Sequence, residues 1–243
     1  MKIKKKIGII GGAGPMASCQ LYKEIIEECQ RRDCKEDSDF PEIVVLNYPF
    51  SAMLRVQDCR MNEQALIVEL QYCFDYFAER TIDVVVIACN TLHVLVDKVD
   101  CKVSNFLNIV ATTMQYALQQ NMKRVLVLGS DTTIQLQLYR SEVIEYVVPE
   151  VSDQLIVNEA IKNILTGKIE EQDAYRLVDL AKKYYQAKPF DAIILACTEL
   201  PLLKEYFNSL IHVELEQVKI LDTLTLLASC VVQEKLCDMS MAE

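Results

Sequence analysis

Two nine-residue segments of this chain match each other, and they constrain its fold more than any other feature. Residues 83–91 read DVVVIACNT and residues 191–199 read DAIILACTE. Each segment has an aspartate, then a run of apolar and largely β-branched residues, then Ala-Cys and polar side chains. Such a run, ended abruptly by polar residues, predicts a buried parallel strand with the cysteine at its carboxyl end. Open α/β sheets place their ligand crevice at that end.

The residues around these segments predict alternating strands and helices that run through the chain twice. The first cycle begins with an apolar strand at 6–10 and the second with one at 124–129. Alternation of this kind predicts parallel sheets with helices on both faces, and its repetition predicts a tandem duplication. We therefore expect an α/β protein of two similar lobes, each a parallel sheet flanked by helices, with the active site in the cleft between them.

The composition argues against several classes of protein. The 243 residues carry a formal net charge of −10 and no basic stripe, so nucleic acid is not an expected partner. No stretch approaches the roughly 20 apolar residues of a membrane span, and the basic N-terminus leads into a segment too short and too rich in glycine for a signal peptide. The ten cysteines show neither a disulfide framework nor zinc-site spacing, so we expect reduced thiols, no metal site and a cytoplasmic location.

A glycine-rich turn follows the first strand. Residues 12–17, GAGPMA, fit the loose form G-x-G-x-x-A of the dinucleotide fingerprint, which is one alternative. That fingerprint also needs an acidic residue at the end of the second strand, where this chain has Asn47-Tyr48-Pro49. A better interpretation is an anion site, suited to a carboxylate, formed by backbone N–H groups at the start of the next helix.

Cys89 and Cys197 differ from the other eight cysteines. Many cysteines are inert core residues, but each of these two ends a predicted strand, is followed by a polar pair and precedes a predicted helix. A helix start favours the thiolate, and a thiol whose pKa is modestly lowered is a usable base near neutral pH. Because the two cysteines occupy equivalent places in two facing halves, we expect a substrate to lie between two thiols.

His93 follows Cys89 by four residues, and His212 is the only other histidine. A metal site would need more ligands than the sequence offers nearby, and we expect His93 to cap or pack rather than to catalyse. A Cys–His hydrolase is an alternative, but it leaves Cys197 without a role.

Three motifs resemble the aspartate/glutamate racemase family, in an order and spacing that extend over nearly the whole chain. They are IGGAGPMA at 10–17, ACNTLH at 88–93 and ACTELP at 196–201. The aspartate racemase branch is the more similar one. Glutamate racemases typically carry Asp-Ser where this chain has Gly11-Gly12, and a histidine where it has Glu199.

The resemblance implies a cofactor-independent racemase that moves the α-proton of aspartate or glutamate between Cys89 and Cys197. One cysteine, as thiolate, would remove the proton from one face, and the other, as thiol, would protonate the opposite face. The residues that the resemblance places beside the substrate are Asn90, Thr91, Thr133, Thr198 and Glu199. Glu199 could also tune Cys197 or simply cap a helix. The family further implies a homodimer, and a C-terminal strand and helix that return to the first lobe at Asp222-Thr223. The two lobes would then be 1–106 plus 215–243 and 107–214.

Two departures from the family leave the substrate open. Aspartate racemases often carry an arginine in the loop after the second strand, where this chain has Leu54 with Arg55 beside it, and a lysine that is replaced here near Leu155. The side-chain carboxylate of a substrate therefore lacks an assured partner. The alternatives are cis–trans isomerisation or decarboxylation of a small dicarboxylate, and a non-catalytic amino-acid-binding protein.

Overall fold

The computed structural model describes residues 5–51 and 59–233, which contain two four-stranded parallel sheets. The strands of the first sheet are β1 (Lys6–Gly11), β2 (Glu42–Asn47), β3 (Val84–Ile87) and β4 (Phe106–Leu107). Those of the second sheet are β5 (Arg124–Gly129), β6 (Glu145–Val147), β7 (Ala192–Ala196) and β8 (Lys219–Asp222). The strand orders, β2-β1-β3-β4 and β6-β5-β7-β8, are equivalent. This equivalence confirms the expected α/β fold of two similar lobes.

Helices cover the faces of both sheets. Those that begin in the first half of the described chain are α1 (Pro15–Arg31), α2 (Cys59–Ala78) and α3 (Ile109–Gln119). Those of the second half are α4 (Asp131–Gln135), α5 (Val151–Leu165), α6 (Glu171–Ala187), α7 (Lys204–Glu214) and α8 (Thr223–Val232). Short 3-10 helices follow β3 at Thr91–Lys98 and β7 at Leu200–Leu203. None of the described helices combines the length and the apolar character that crossing a membrane requires.

The structure differs from the expected elements at a few places. The sequence of 107–110, LNIV, predicts a strand, but the strand ends at Leu107. The Asn108 side chain accepts hydrogen bonds from the backbone N–H groups of Val110 and Ala111 and so starts α3. The periodicity also gives no indication of α7. The sequence predicts an irregular loop over 51–60, but α2 already begins at Cys59. Residues 52–58, which include Leu54 and Arg55, lie outside the described residues, as does the tail from 234 onward.

The aspartates that open the two matching segments have the same structural role. The Oδ2 atom of Asp83 accepts a hydrogen bond from the backbone N–H of Lys6 at 2.7 Å. The Oδ2 atom of Asp191 accepts from the backbone N–H groups of Lys123 and Arg124, at 2.6 and 2.9 Å. Each carboxylate therefore ties the start of one central strand to the start of its neighbour.

The helices that follow β4 and β8 cross to the opposite lobe. Leu224 and Leu227 of α8 pack on the first sheet against Ile9, whereas Ala117 of α3 packs on the second sheet against Val127. The two crossing helices also contact each other.

The last strand does not return to the first lobe as expected. It pairs with β7 and completes the second sheet, and only α8 crosses. The chain changes lobe at Asp222-Thr223, where the Asp222 side chain caps α8.

Candidate active site

A cavity of about 210 Å³ lies where the carboxyl ends of the two sheets face each other. The first lobe contributes Gly12, Ala13, Gly14, Cys89, Asn90 and Thr91 to its lining. The second lobe contributes Ser130, Ile161, Leu165, Cys197, Thr198 and Glu199. Both cysteines of the matching segments therefore line one cavity from opposite sides, in the place that parallel sheets favour for ligands.

Cys89 lies just beyond the end of β3 and is buried. Burial raises the pKa of its thiol to about 12, and the charge of Glu199 acts in the same direction. The backbone N–H groups of Thr91 and Leu92 lower the pKa, which is the effect expected of a helix start. The expected net lowering is nevertheless wrong for this structure, because desolvation of the thiolate outweighs these N–H groups.

Cys197 contacts a buried carboxylate. Its Sγ atom donates a hydrogen bond to Oε2 of Glu199 at 3.0 Å, and the Thr198 hydroxyl lies 3.4 Å from the same oxygen. Burial raises the pKa of the Cys197 thiol well above its usual value, and the charge of Glu199 and this hydrogen bond add to the rise. The Glu199 side chain makes no capping hydrogen bond to the 3-10 helix that follows it. The Glu199 side chain therefore contacts the Cys197 thiol instead of capping this helix.

The glycine turn forms the wall opposite Glu199. Gly12 has a φ of +100°, and a Cβ atom there would lie 1.9 Å from the carbonyl oxygen of Tyr48, so only glycine fits. Its N–H donates a hydrogen bond to the Ser18 hydroxyl at 3.0 Å. A Cβ atom at Gly14 would lie 2.9 Å from Oε1 of Glu199. The turn thus brings glycine backbone of the first lobe close to the Glu199 carboxylate of the second lobe.

Three hydroxyl groups meet across the lobe boundary. The Thr91 hydroxyl lies 3.1 Å from that of Ser130 and 3.3 Å from that of Thr133. Ser130 also accepts a hydrogen bond from the backbone N–H of Thr133 and so caps α4. Thr133 is fully buried and does not line the cavity, so it supports Thr91 rather than facing a ligand directly. The sequence of residues 130–133, SDTT, predicts a helix cap, but it gives no indication that Ser130 also lines the cavity.

Asn90 is held by groups from the other half of the chain. Its Nδ2 atom donates to the Thr223 hydroxyl at 3.3 Å, and Tyr139 donates to its Oδ1 atom. The Thr223 hydroxyl in turn donates to the carbonyl oxygen of Leu195 at 3.1 Å. In the described structure these contacts engage one of the two amide N–H groups of Asn90, which leaves the other available at the cavity lining.

His93 does not face the cavity. Its Nδ1 atom lies 2.7 Å from the carbonyl oxygen of Cys89, and its Nε2 atom accepts from the backbone N–H of Ile109 at 3.3 Å. Burial lowers the pKa of the ring to about 4, so it is neutral. Both ring nitrogens are thus bound to backbone, as expected for a packing histidine, and neither is available to the Cys89 thiol. The side chain of His212 is outside the described part of the chain.

The remaining wall is apolar and comes from α5. Ile161 and Leu165 are four residues apart on this helix and line the cavity together. The sequence of 152–165 predicts a helix, but it gives no indication that these two positions face a ligand site. Leu155, on the same helix, is 66% exposed and is not part of the lining. Among the described residues that line the cavity, Glu199 alone has a charged side chain.

Comparison with known proteins finds one family that matches nearly the whole chain. A family model described as Asp/Glu/hydantoin racemase matches residues 10–231. The structure is similar to Picrophilus torridus aspartate racemase, with a TM-score of 0.74 and 24% identity over 92% of this chain and 91% of that one. An aspartate racemase homologue from Pyrococcus horikoshii OT3 gives 0.71 and 24%, over 92% and 96%. Glutamate racemase from Campylobacter jejuni subsp. jejuni gives 0.61 and 21%, over 95% and 88%. These likenesses extend across both lobes.

Proposed function

The chain belongs to the Asp/Glu/hydantoin racemase family, and from this premise we propose that it interconverts the L- and D-forms of a small amino acid by proton transfer between Cys89 and Cys197, without a cofactor. Membership of the family makes the protein a racemase, which is an isomerase. The two-thiol mechanism and the substrate are the proposal. The observation that carries it is the position of the two cysteines, one from each lobe, in the lining of a single cavity.

Racemisation requires a proton to leave one face of the α-carbon and another to arrive on the opposite face. A thiolate at one cysteine takes the α-proton and becomes a thiol, and the electron pair of the broken C–H bond spreads into the α-carboxylate. The thiol of the other cysteine then gives its proton to the opposite face and becomes the thiolate. The roles reverse for the other enantiomer, which suits two thiols in equivalent places of a repeated fold.

The substrate itself helps to form the thiolate. Burial and the charge of Glu199 hold the pKa of both thiols above their usual value. An amino acid brings a positive ammonium group, and an opposite charge close to a thiol favours its ionised form. Glu199 is the natural partner for this ammonium group because it is the charged side chain of the described lining. Once paired with the ammonium group, its carboxylate opposes ionisation of Cys197 less strongly.

The hydroxyl and amide groups of the lining are suited to the α-carboxylate. Thr91, Ser130 and Thr198 supply hydroxyl groups, and the second N–H of Asn90 is a further donor. Donors held in place by the protein stabilise the charge that develops on the carboxylate when the α-proton leaves. This assignment keeps the sequence-based roles of Asn90, Thr91 and Thr198 and adds Ser130, with Thr133 as the support of Thr91.

Aspartate and glutamate are the first substrates to test, because relatives of similar structure are named as their racemases. The lining of the cavity also suits other amino-acid substrates. Ile161 and Leu165 present an apolar surface to the substrate side chain, which suits a neutral amino acid as well. The test must therefore include neutral amino acids beside the acidic ones.

The experiment is α-proton exchange in heavy water without added cofactor. The protein is incubated with the L- and D-forms of aspartate, glutamate and a neutral panel, and the products are followed by proton NMR and chiral chromatography. We expect loss of the α-proton signal together with formation of the opposite enantiomer. Cys89→Ser and Cys197→Ser should each abolish racemisation, whereas Cys19→Ser, at an exposed position, should leave it unchanged. Full activity in either cavity variant would refute the two-thiol mechanism.

A further inference from the structure

A buried hydrogen-bonded bridge joins the two segments that carry the cysteines. At one end is Asn90, the residue after Cys89, whose amide donates to the Thr223 hydroxyl at 3.3 Å. At the other end is Leu195, two residues before Cys197, whose carbonyl oxygen accepts from that same hydroxyl at 3.1 Å. A single threonine hydroxyl thus lies between the strand end of the first lobe and the strand of the second.

A second contact fixes the orientation of the Asn90 amide. The Tyr139 hydroxyl donates to its Oδ1 atom. Tyr139 is fully buried in the core of the second lobe, and burial raises the pKa of its hydroxyl, so it keeps the proton that it donates. Both ends of the amide are therefore bound by residues of the second half of the chain, although Asn90 itself belongs to the first lobe.

Thr223 is rigidly placed because it lies where the chain changes lobe. It is the first residue of α8, which is buried on the first sheet, and it directly follows β8 of the second sheet. Asp222 caps the helix through the backbone N–H groups of Leu224 and Thr225, at 2.9 and 3.2 Å. A movement of one lobe relative to the other must therefore strain the Thr223 bridge.

We infer that Thr223 and Tyr139 are positioning residues that set the separation of the two thiols and, through it, the fraction of deprotonated substrate that is reprotonated on the opposite face. This inference rests on the proposed two-thiol reaction. The first thiol can remove the α-proton wherever the second one stands. Inversion, in contrast, needs the second thiol within reach of the opposite face. A misplacement of about 1 Å can cost on the order of a hundredfold in such a step.

A wider separation has a specific chemical consequence in heavy water. The thiol that took the α-proton exchanges it for a solvent deuteron and can return that deuteron to the original face. The substrate then gains deuterium without changing its configuration. Loss of the bridge should therefore raise the ratio of exchange with retention to exchange with inversion, while general destabilisation of the fold would lower both rates together.

The test compares Thr223→Val, which removes only the bridging hydroxyl, and Tyr139→Phe with the wild-type protein. Thr112→Val is the matched control, because Thr112 is a buried threonine of the neighbouring crossing helix that does not line the cavity. The initial rates of deuterium uptake and of inversion are measured for each enantiomer by NMR and chiral chromatography. We expect the retention-to-inversion ratio to rise at least tenfold in Thr223→Val, to rise less in Tyr139→Phe, and to stay at the wild-type value in Thr112→Val.

The outcomes separate this inference from the proposed function. Wild-type ratios in both Thr223→Val and Tyr139→Phe, whatever their overall rates, would overturn the inference while the two-thiol reaction stood. A wild-type protein that neither exchanges nor inverts any tested amino acid would overturn the proposed function and this inference with it. A poorly folded Thr223→Val protein, recognised by circular dichroism, leaves Tyr139→Phe to decide.

Discussion

The Cys197 thiol donates a hydrogen bond to Oε2 of Glu199 at 3.0 Å, so one thiol of the cavity lies directly against a buried carboxylate. The other thiol, of Cys89, is approached by the backbone N–H groups of Thr91 and Leu92. The two halves of the repeat therefore place equivalent cysteines in unequal electrostatic surroundings. Both pKa values are raised by burial, but the direct contact with Glu199 disfavours the thiolate of Cys197 further.

Replacement of Glu199 by glutamine should make Cys197 more reactive. The change removes the negative charge and keeps the size of the side chain, so the pKa of Cys197 should fall. At a pH below that pKa, each unit by which it falls raises the thiolate population tenfold. We expect iodoacetamide to alkylate Cys197 at least about ten times faster, with a smaller effect on Cys89. Peptide mass spectrometry at several pH values measures the two rates separately.

The control for this change is Glu205→Gln, which removes an exposed carboxylate from α7. It should leave both alkylation rates unchanged. Equal rates at Cys197 in the wild type and in Glu199→Gln would mean that Glu199 does not control this thiol.

Gly14→Ala should impair catalysis more than folding. The φ angle of Gly14 is −92°, which alanine adopts readily, but the new Cβ atom would lie 2.9 Å from Oε1 of Glu199 and 3.3 Å from Leu165. The methyl group must therefore displace a cavity wall or occupy substrate space. We expect kcat/KM for racemisation to fall at least about tenfold with little change in the thermal unfolding temperature.

Gly167→Ala is the control, because it should affect folding and leave catalysis unchanged. Gly167 lies two residues after the end of α5 and has a φ of +81°, and a Cβ atom there would have nothing within 4 Å. Its cost is backbone strain alone, about 1 kcal/mol of unfolding free energy, with kcat/KM near the wild-type value. A Gly14→Ala protein with wild-type kcat/KM would show that the space between Gly14 and Glu199 is not used by the substrate.

The strands and the two cysteines could be predicted from the sequence because a buried parallel strand has a recognisable local sequence pattern. An apolar run that stops at Ala-Cys identifies both the core strand and the residue at its end. The apolar wall of the cavity has no such pattern, since Ile161 and Leu165 follow the same helical periodicity as the core positions of α5. The direction of the Cys89 pKa shift was missed for a related reason: the helix start can be predicted locally, whereas the burial that outweighs it depends on both lobes.

The pairing of the last strand could not be predicted from the sequence for a different reason. Residues 219–222 have the apolar character of a strand but nothing that selects a sheet. Their place beside β7 follows from the repeat, because β8 then corresponds to β4 and α8 to α3. The crossing point at Asp222-Thr223 is implied by the resemblance to the racemase family; the Asp222 cap marks where α8 starts but does not indicate which lobe the helix joins. The bridge from Thr223 to Asn90 joins residues 133 positions apart and has no local signal.

Stability should fall in mild acid because of His93. The pKa of this buried ring is about 4, below its ordinary value of 6.5. Between these values the unfolded chain binds a proton that the folded protein does not, so the unfolding free energy falls as the pH is lowered from 6.5 to 4. The full loss is on the order of 3 kcal/mol, and above pH 6.5 the effect is absent.

Urea unfolding of the wild type and of His93→Gln at pH 7, 6, 5 and 4.5 measures this effect. Glutamine does not titrate, so the difference in unfolding free energy between the two proteins should shrink as the pH falls. A difference that is constant over this range would show that the ring does not titrate as the structure indicates.

Lys204→Met should destabilise the protein more than the loss of an ordinary surface charge. The Lys204 ammonium group lies 3.0 Å from the Asp222 carboxylate and 3.7 Å from that of Glu24, and both carboxylates are almost fully buried. Its removal leaves these charges without their cation, which costs about 3 kcal/mol for a buried pair. Lys188→Met removes the exposed pair with Glu145 and should cost less than about 1 kcal/mol. Urea unfolding at neutral pH checks both values, and equal losses would contradict the prediction.

The exchange of α3 and α8 between the lobes determines how this protein can unfold and how it responds to cleavage. Each sheet has one face covered by a helix that the other half of the chain supplies. A fragment that stopped after β4 would keep all four strands of the first sheet and still expose the apolar face that α8 covers. Although the architecture repeats, we therefore expect that neither half folds on its own. The two lobes should therefore melt in a single cooperative transition, and a protease cut between them should release no stable half.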